Sequence, residues 1–155
     1  MTISPTIRFH FLKKISLKDR QIIRNTLTTL FKKERKKLAE LHYIFVSDDK
    51  LLEINLQFLK HDFYTDIITF PLSKPGQPIS GEIYISVDRV RENARACSSS
   101  IRLELLRVMF HGALHLSGYR DKTPREEKIM RQMEEKYLDV HQRSTWKKLR
   151  LNNLF

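Results

Sequence analysis

The chain has 155 residues, 41% of them hydrophobic, with four glycines, five prolines and a formal net charge of +11. That length suits one domain with a core of its own, and the single cysteine, Cys97, excludes both a disulfide framework and a cysteine-rich zinc finger. No apolar run approaches the roughly 18 residues that cross a bilayer, and the first residues lack a signal-peptide layout, so a soluble, cytoplasmic protein is expected.

The charge is unevenly spread. Residues 13–37 carry ten Lys and Arg against Asp19 and Glu34, and beyond Asp139 the basic Arg143, Lys147, Lys148 and Arg150 meet no acid. Such a field draws polyanions, nucleic acid above all, although a solvated basic helix face gives the same pattern.

In chain order, Thr6–Leu12 alternates Ile7, Phe9 and Phe11 with polar neighbours, which predicts a half-buried strand. Ser16–Lys37 reads as a helix capped by Ser16, with Ile23, Leu27, Leu30 and Phe31 on one face and lysines on the other. His42–Ser47 is a strand of aromatic and β-branched residues, and Asp48–Leu59 a helix with an incomplete apolar stripe. Asp66–Leu72 is a strand that ends at its proline, and Lys-Pro-Gly-Gln-Pro at 74–78 is a turn. Gly81–Val87 alternates most cleanly, Ile83, Ile85 and Val87 against Glu82, Tyr84 and Ser86. Helices follow at Val87–Cys97, at Ile101–Ser117 and from Thr123, where Thr-Pro-Arg-Glu supplies a cap, a proline at the first helical position and an acid at the third. The order β-α-β-α-β-β-α-α-α predicts one α+β domain over residues 1–155, a small mixed sheet of about four strands packed with about five helices. A basic tail is expected from about residue 141.

The chemistry lies in Val108–Asp121. From Val108 to Leu116 this stretch is apolar on every side except at His111 and His115. Buried imidazoles need partners, and at a spacing of four the two rings leave one helix face a turn apart, as a single tetrahedral ion requires. Gly118 stops the helix with a left-handed residue, and Asp121 follows on the returning loop as the third ligand, leaving the fourth position to water. The pattern His-x3-His-x2-Gly-x2-Asp has the ligand spacing of a metzincin-like zinc site with Asp in place of the third His. Metallopeptidases carry a general-base Glu directly after the first His; here that residue is Gly112, which argues against peptide hydrolysis.

His111-Gly-Ala-Leu-His115-Leu-Ser-Gly118-Tyr119 resembles the signature of the YbeY endoribonucleases, the rRNA maturation factors. Asn55 with Phe58, Asp62 and Thr65-Asp66-Ile67-Ile68-Thr69-Phe70-Pro71 resembles the family's Asn-x2-aromatic…Thr-Asp-Val-Leu-Ser-Phe-Pro segment, and Gly81–Ser86 its Gly-Asp-Ile-x-Ile-Ser strand. The motifs occur in family order over about residues 7–140. The resemblance implies an α+β domain with a zinc site, cleavage of single-stranded RNA, maturation of small-subunit ribosomal RNA at its 3′ end, and ribosome quality control. It also implies as partners the small ribosomal subunit with its proteins and an assembly GTPase, with no role for DNA or a membrane. Two positions depart from the family pattern. The third ligand is usually a histidine where this chain has Asp121, and an arginine usually stands where this chain has Leu59.

The expected site therefore consists of His111, His115 and Asp121 around one zinc ion, or another divalent metal, with a metal-bound water. Thr65, Asp66 and Glu82 are further candidates for the cleft. Lys32, Lys33, Arg35, Lys36, Lys37, Lys60, Lys147 and Lys148 are candidates for holding the RNA backbone, and Trp146 and Phe155 for stacking on bases. Two other readings stay open: an assembly factor that binds RNA around a structural metal, and a zinc hydrolase of another substrate.

Overall fold

In the computed structural model, which describes residues 4–154, the chain forms a four-stranded mixed sheet with five helices. The strands are β1 (Thr6–Phe11), β2 (Leu38–Val46), β3 (Ile67–Pro71) and β4 (Ile79–Ser86), in the spatial order β1-β2-β4-β3. β1 and β4 flank β2 in parallel, while β3 closes the sheet antiparallel to β4 with Ile67 opposite Ile85 and Pro71 opposite Gly81. Proline at the end of an edge strand costs no ladder bond.

The helices are α1 (Arg20–Lys33), α2 (Asp48–Ile54), α3 (Val87–Ala96), α4 (Ile101–Leu116) and α5 (Pro124–Asn152). Ser47, Ser86, Ser100 and Thr123 cap α2 to α5 through their hydroxyls, and Thr123 with Glu126 completes the expected capping box. Four expected boundaries differ by four residues or more. Ser16 caps nothing: α1 starts after Asp19, which is left-handed at φ 55°, and Ile15 and Leu17 are buried instead. α1 also ends early, because Arg35 turns left-handed at φ 57° and the Lys36 amide bonds back to the Phe31 carbonyl. That frees Leu38–Leu41 to begin β2 four residues sooner than expected. Finally, α2 does not run on to Leu59; it widens into a π-type turn over Asn55–Leu59.

Residues 141–152 of the expected basic tail are helical. They continue α5, a 29-residue helix. Phe155 lies outside the described residues.

The alternation of β4 divides the molecule. Gly81, Ile83 and Ile85 face the main core, where Phe45, Tyr43 and Leu41 of β2 meet α1, α4 and α5. Glu82 and Tyr84 face the other side, covered by a smaller cluster of Val46, Leu51, Ile54 and Ile68. α4 lies at the centre, against β3, β4, α1, α3 and α5, which explains why it is apolar nearly all round. It approaches the sheet at Gly112, where an added Cβ would lie 2.9 Å from both Ile67 Cδ1 and Ile83 Cδ1.

The core also holds an acid-labile group. His141 of α5 is 4% exposed, and burial, reinforced by the Arg102 charge and only partly opposed by Asp19, pushes its pKa down to about 4 from the ordinary 6.5. A histidine held neutral in the folded state binds fewer protons than the unfolded chain. Its contribution is therefore complete above pH 6.5 and is lost as pH falls from 6.5 towards 4, with an upper bound of about 3 kcal/mol. His141→Asn is expected to flatten the fall in urea midpoint across that window. An unchanged slope would place the titration elsewhere.

Candidate metal centre

α4 presents His111 and His115 one turn apart on the same face, and a Schellman motif ends it. The Gly118 amide bonds to the His115 carbonyl and the Tyr119 amide to the Leu114 carbonyl, with Gly118 at φ 107°. This reversal carries the chain back over the helix end and places Asp121 beside both rings. His111 Nε2 and His115 Nε2 are 2.9 Å apart, and Asp121 Oδ2 lies 3.2 Å from each. Among the described residues these three form the only group of His, Cys, Asp or Glu side chains that can hold a metal ion. The imidazoles are not fully buried, as the apolar helix suggested; their side chains are 21% and 27% exposed at a cleft floor.

The second ring nitrogens decide what the first ones carry. His115 Nδ1 is 2.9 Å from the Tyr119 carbonyl oxygen, which only accepts, so Nδ1 holds the proton. His111 Nδ1 is 2.8 Å from Glu134 Oε2 and donates to it in the same way. Both Nε2 lone pairs then point at one centre, joined there by a carboxylate oxygen. Three electron-rich atoms so close repel one another unless a cation stands between them. An ion about 2.0–2.1 Å from each atom would hold tetrahedral ligands about 3.3 Å apart, so the spacing fits zinc.

A second layer of side chains fixes the rings. Glu134 of α5 is 6% exposed and also takes a long contact of 3.4 Å from Arg107, which pairs more closely with Glu135 at 2.7 Å. Burial by itself would lower the His111 pKa, but the Glu134 hydrogen bond and the charges of Glu134, Asp121 and Asp66 outweigh it and raise that pKa. On the His115 side, the Tyr119 hydroxyl donates to Glu34 Oε2 at 2.7 Å and Tyr137 donates to Glu34 Oε1 at 2.6 Å. Burial, then the hydrogen bond and charge of Glu34, push Tyr119 up to about 12, so it remains a donor. The loop that orients His115 is thus anchored to the end of α1. Tyr119→Phe is expected to weaken zinc binding by up to about 10-fold, the lower end of the range for outer-shell partners, read by chelator competition. No change would mean the Schellman turn alone sets the loop.

The cluster lies in a cleft of about 520 Å³ between α4, β3 and the loop after α2. Thr65 and Asp66 line it, as do Leu59, His61 and Phe63. Asn55, 1% exposed, pins the far wall by donating to the Phe63 carbonyl at 2.9 Å.

The sequence profile for endoribonuclease YbeY matches residues 10–142. The chain belongs to the YbeY endoribonuclease family. A protein named endoribonuclease YbeY from Cytophaga hutchinsonii is 49% identical over 124 residues, covering 80% of this chain and 87% of the relative. One of the same name from Flavobacterium psychrophilum is 42% identical, covering 86% and 95% respectively. The solution structure of a Thermotoga maritima protein aligns with a TM-score of 0.63 at 32% identity, over 95% of this chain and 93% of that one.

Asp121, the first of the two departures expected from the resemblance, brings a carboxylate oxygen beside both rings. At the other departure Leu59 lines the cleft, and Lys60 turns away left-handed at φ 55° as an exposed residue. Among the described residues, no Lys or Arg lines the YbeY cleft itself.

The remaining expected residues fall into four groups. Thr65 and Asp66 are in the cleft, though the Thr65 hydroxyl bonds to the Ile67 carbonyl at 3.3 Å. Glu82 is not: its strand face points away from α4, and its carboxylate accepts from the Tyr84 hydroxyl at 3.0 Å. Arg35, Lys36 and Lys37 line a neighbouring depression, with Lys32 and Lys33 in the turn of α1 before it. Lys147 and Lys148 are far off: at 1.5 Å per residue Lys147 lies about 24 Å along α5 from Arg131. Lys148 is also engaged with Asp19 at 2.9 Å, and Trp146 is beside it on the same remote stretch. Sequence reasoning missed Glu134, Glu34, His61 and Phe63. Of these, only Glu134 leaves a signal in the sequence, as an acid at helical spacing within the stripe of Met130, Tyr137, Leu138 and His141.

Proposed function

We propose that the chain is a zinc-dependent, single-strand-specific endoribonuclease that processes ribosomal RNA precursors, with His111, His115 and Asp121 as its metal ligands. The observation that carries the reading is the convergence of two Nε2 lone pairs and one carboxylate oxygen, all within 3.2 Å, on one side of an open cleft. The name shared by the relatives supports RNA as the substrate class. A divalent ion held by His111, His115 and Asp121 would supply Lewis acidity, polarising a phosphoryl oxygen and acidifying water.

The chain's own groups supply the rest. Glu134 and the Tyr119 carbonyl keep the Nδ1 protons in place so that both Nε2 atoms remain free. Asp66 is the cleft carboxylate outside the cluster, and we assign it the role of accepting a proton during attack on the phosphodiester. Three protein donors with one open side match catalytic rather than structural zinc sites, which disfavours an assembly factor with a structural metal. Gly112 weighs against a peptidase twice over, since it lacks a carboxylate and faces Ile67 and Ile83 without room for one.

Family resemblance further supports action on the 3′ end of small-subunit ribosomal RNA, contact with the small subunit, its proteins and an assembly GTPase, and a cytoplasmic setting. No helix among the described residues is long and apolar enough to cross a membrane. The test compares zinc-loaded wild type with His115→Ala on a single-stranded fragment of small-subunit ribosomal RNA, at matched RNA binding. Cleavage is expected from the wild type alone. Equal cleavage by both would remove the metal centre from the reaction.

A further inference from the structure

The metal cleft does not end at its own walls. Towards β3 it shares Pro71 and Leu116 with a depression of about 700 Å³ whose rim carries Arg35, Lys36, Lys37 and Lys74. Towards α5 it shares His111 and Asp121 with another of about 580 Å³ that Lys128 and Arg131 line. Through these shared residues the three depressions adjoin as sections of one trough, with His111, His115 and Asp121 in the middle section.

Charge and aromatic character vary along this trough. None of the six basic residues at its two ends has a carboxylate within 4.0 Å among the described residues, whereas Lys13, Arg89, Arg107, Arg143 and Lys148 are all paired elsewhere. The middle section has no Lys or Arg and offers instead His61 stacked on Phe63, with ring centroids 5.1 Å apart and Phe63 56% exposed. Cations at both ends can hold phosphates, and open ring faces between them can take bases. An acidic protein segment would use the cations but not the stacked rings.

Building on the endoribonuclease reading, we propose that a single RNA strand lies along the whole trough, its backbone held by Lys36 and Lys37 at one end and by Lys128 and Arg131 at the other. The metal cluster then sits partway along the strand, so the cut falls inside the RNA and both products remain held.

The test is the salt dependence of binding of a single-stranded RNA oligonucleotide to the zinc-loaded full chain, by fluorescence anisotropy read before cleavage accumulates. Lys36→Ala with Lys37→Ala, and Lys128→Ala with Arg131→Ala, are exposed double substitutions that leave the core intact. Each pair is expected to reduce the slope of log K against log salt by about 1.4, and all four together by about 3, at roughly 0.7 per phosphate contact. Arg143→Ala with Lys147→Ala removes the same charge at a remote part of α5 and is expected to change the slope little. Equal shifts from all three pairs would mean a diffuse field and overturn the proposal, as would no shift at either end. Displacement of the RNA by a polyglutamate of equal charge, as effectively as by unlabelled RNA, would overturn it too. If wild type leaves the RNA intact while the slopes fall as stated, the nuclease reading fails and the trough stands; cleavage with unmoved slopes is the reverse.

Discussion

Asp121→Ala is expected to bind zinc more than about 100-fold more weakly than wild type, and to lose RNA cleavage with it. Outer-shell partners alone cost about 10–100-fold in affinity, and Asp121 is one of only three donors, so its loss should exceed that range. The carboxylate also supplies the negative charge that offsets a divalent ion, which the two neutral imidazoles cannot replace. Its side chain is 37% exposed and lies on a loop, so folding should survive and the metal effect can be read cleanly. Asp121→His restores a donor of the family's usual kind and is expected to recover most of the affinity. Recovery with His but not Ala would identify position 121 as a ligand; equal zinc affinity in wild type and Asp121→Ala would remove it from the site.

Glu134→Ala should act on both metal and fold. In the metal site it removes the acceptor that holds the His111 Nδ1 proton, with an expected loss of about 10–100-fold in zinc affinity. In the fold it leaves Arg107 and His111 without a buried partner, where breaking a buried pair costs about 3–5 kcal/mol. The cost here should fall at or below the lower figure, because Arg107 keeps Glu135 at 2.7 Å. Glu134→Gln keeps an acceptor oxygen but not the charge, and separates the two effects. It should recover stability more than affinity, since the charge is part of what raises the His111 pKa and makes the ring a better donor. Loss of stability with unchanged zinc affinity in both variants would make Glu134 a packing residue only.

What could be read from the sequence followed local rules. β4 announced itself by its alternation, α5 by Thr123-Pro124 with Glu126, and the end of α4 by Gly118, each a pattern contained within a few residues. The His111–His115 pair was legible for the same reason, since a helix fixes the geometry of residues four apart. What stayed hidden depends on contacts between distant segments. Glu134 reaches His111 across 23 residues and Glu34 reaches Tyr119 across 85, and no periodicity encodes either meeting. The end of α1 carries no sequence mark, because the left-handed position there is Arg35 and not a glycine. Charge counts likewise have no direction: Lys36 and Lys147 look alike in a sequence, yet one borders the trough and the other lies at the far end of a long helix.

The most direct test of the metal-dependent reaction is reconstitution. Protein stripped by a chelator and titrated with zinc should regain cleavage of single-stranded ribosomal RNA in proportion to bound metal, reaching a plateau at one ion per chain, as a single three-donor cluster requires. Cleavage at full rate by the metal-free chain, or one bound zinc with no cleavage, would contradict it.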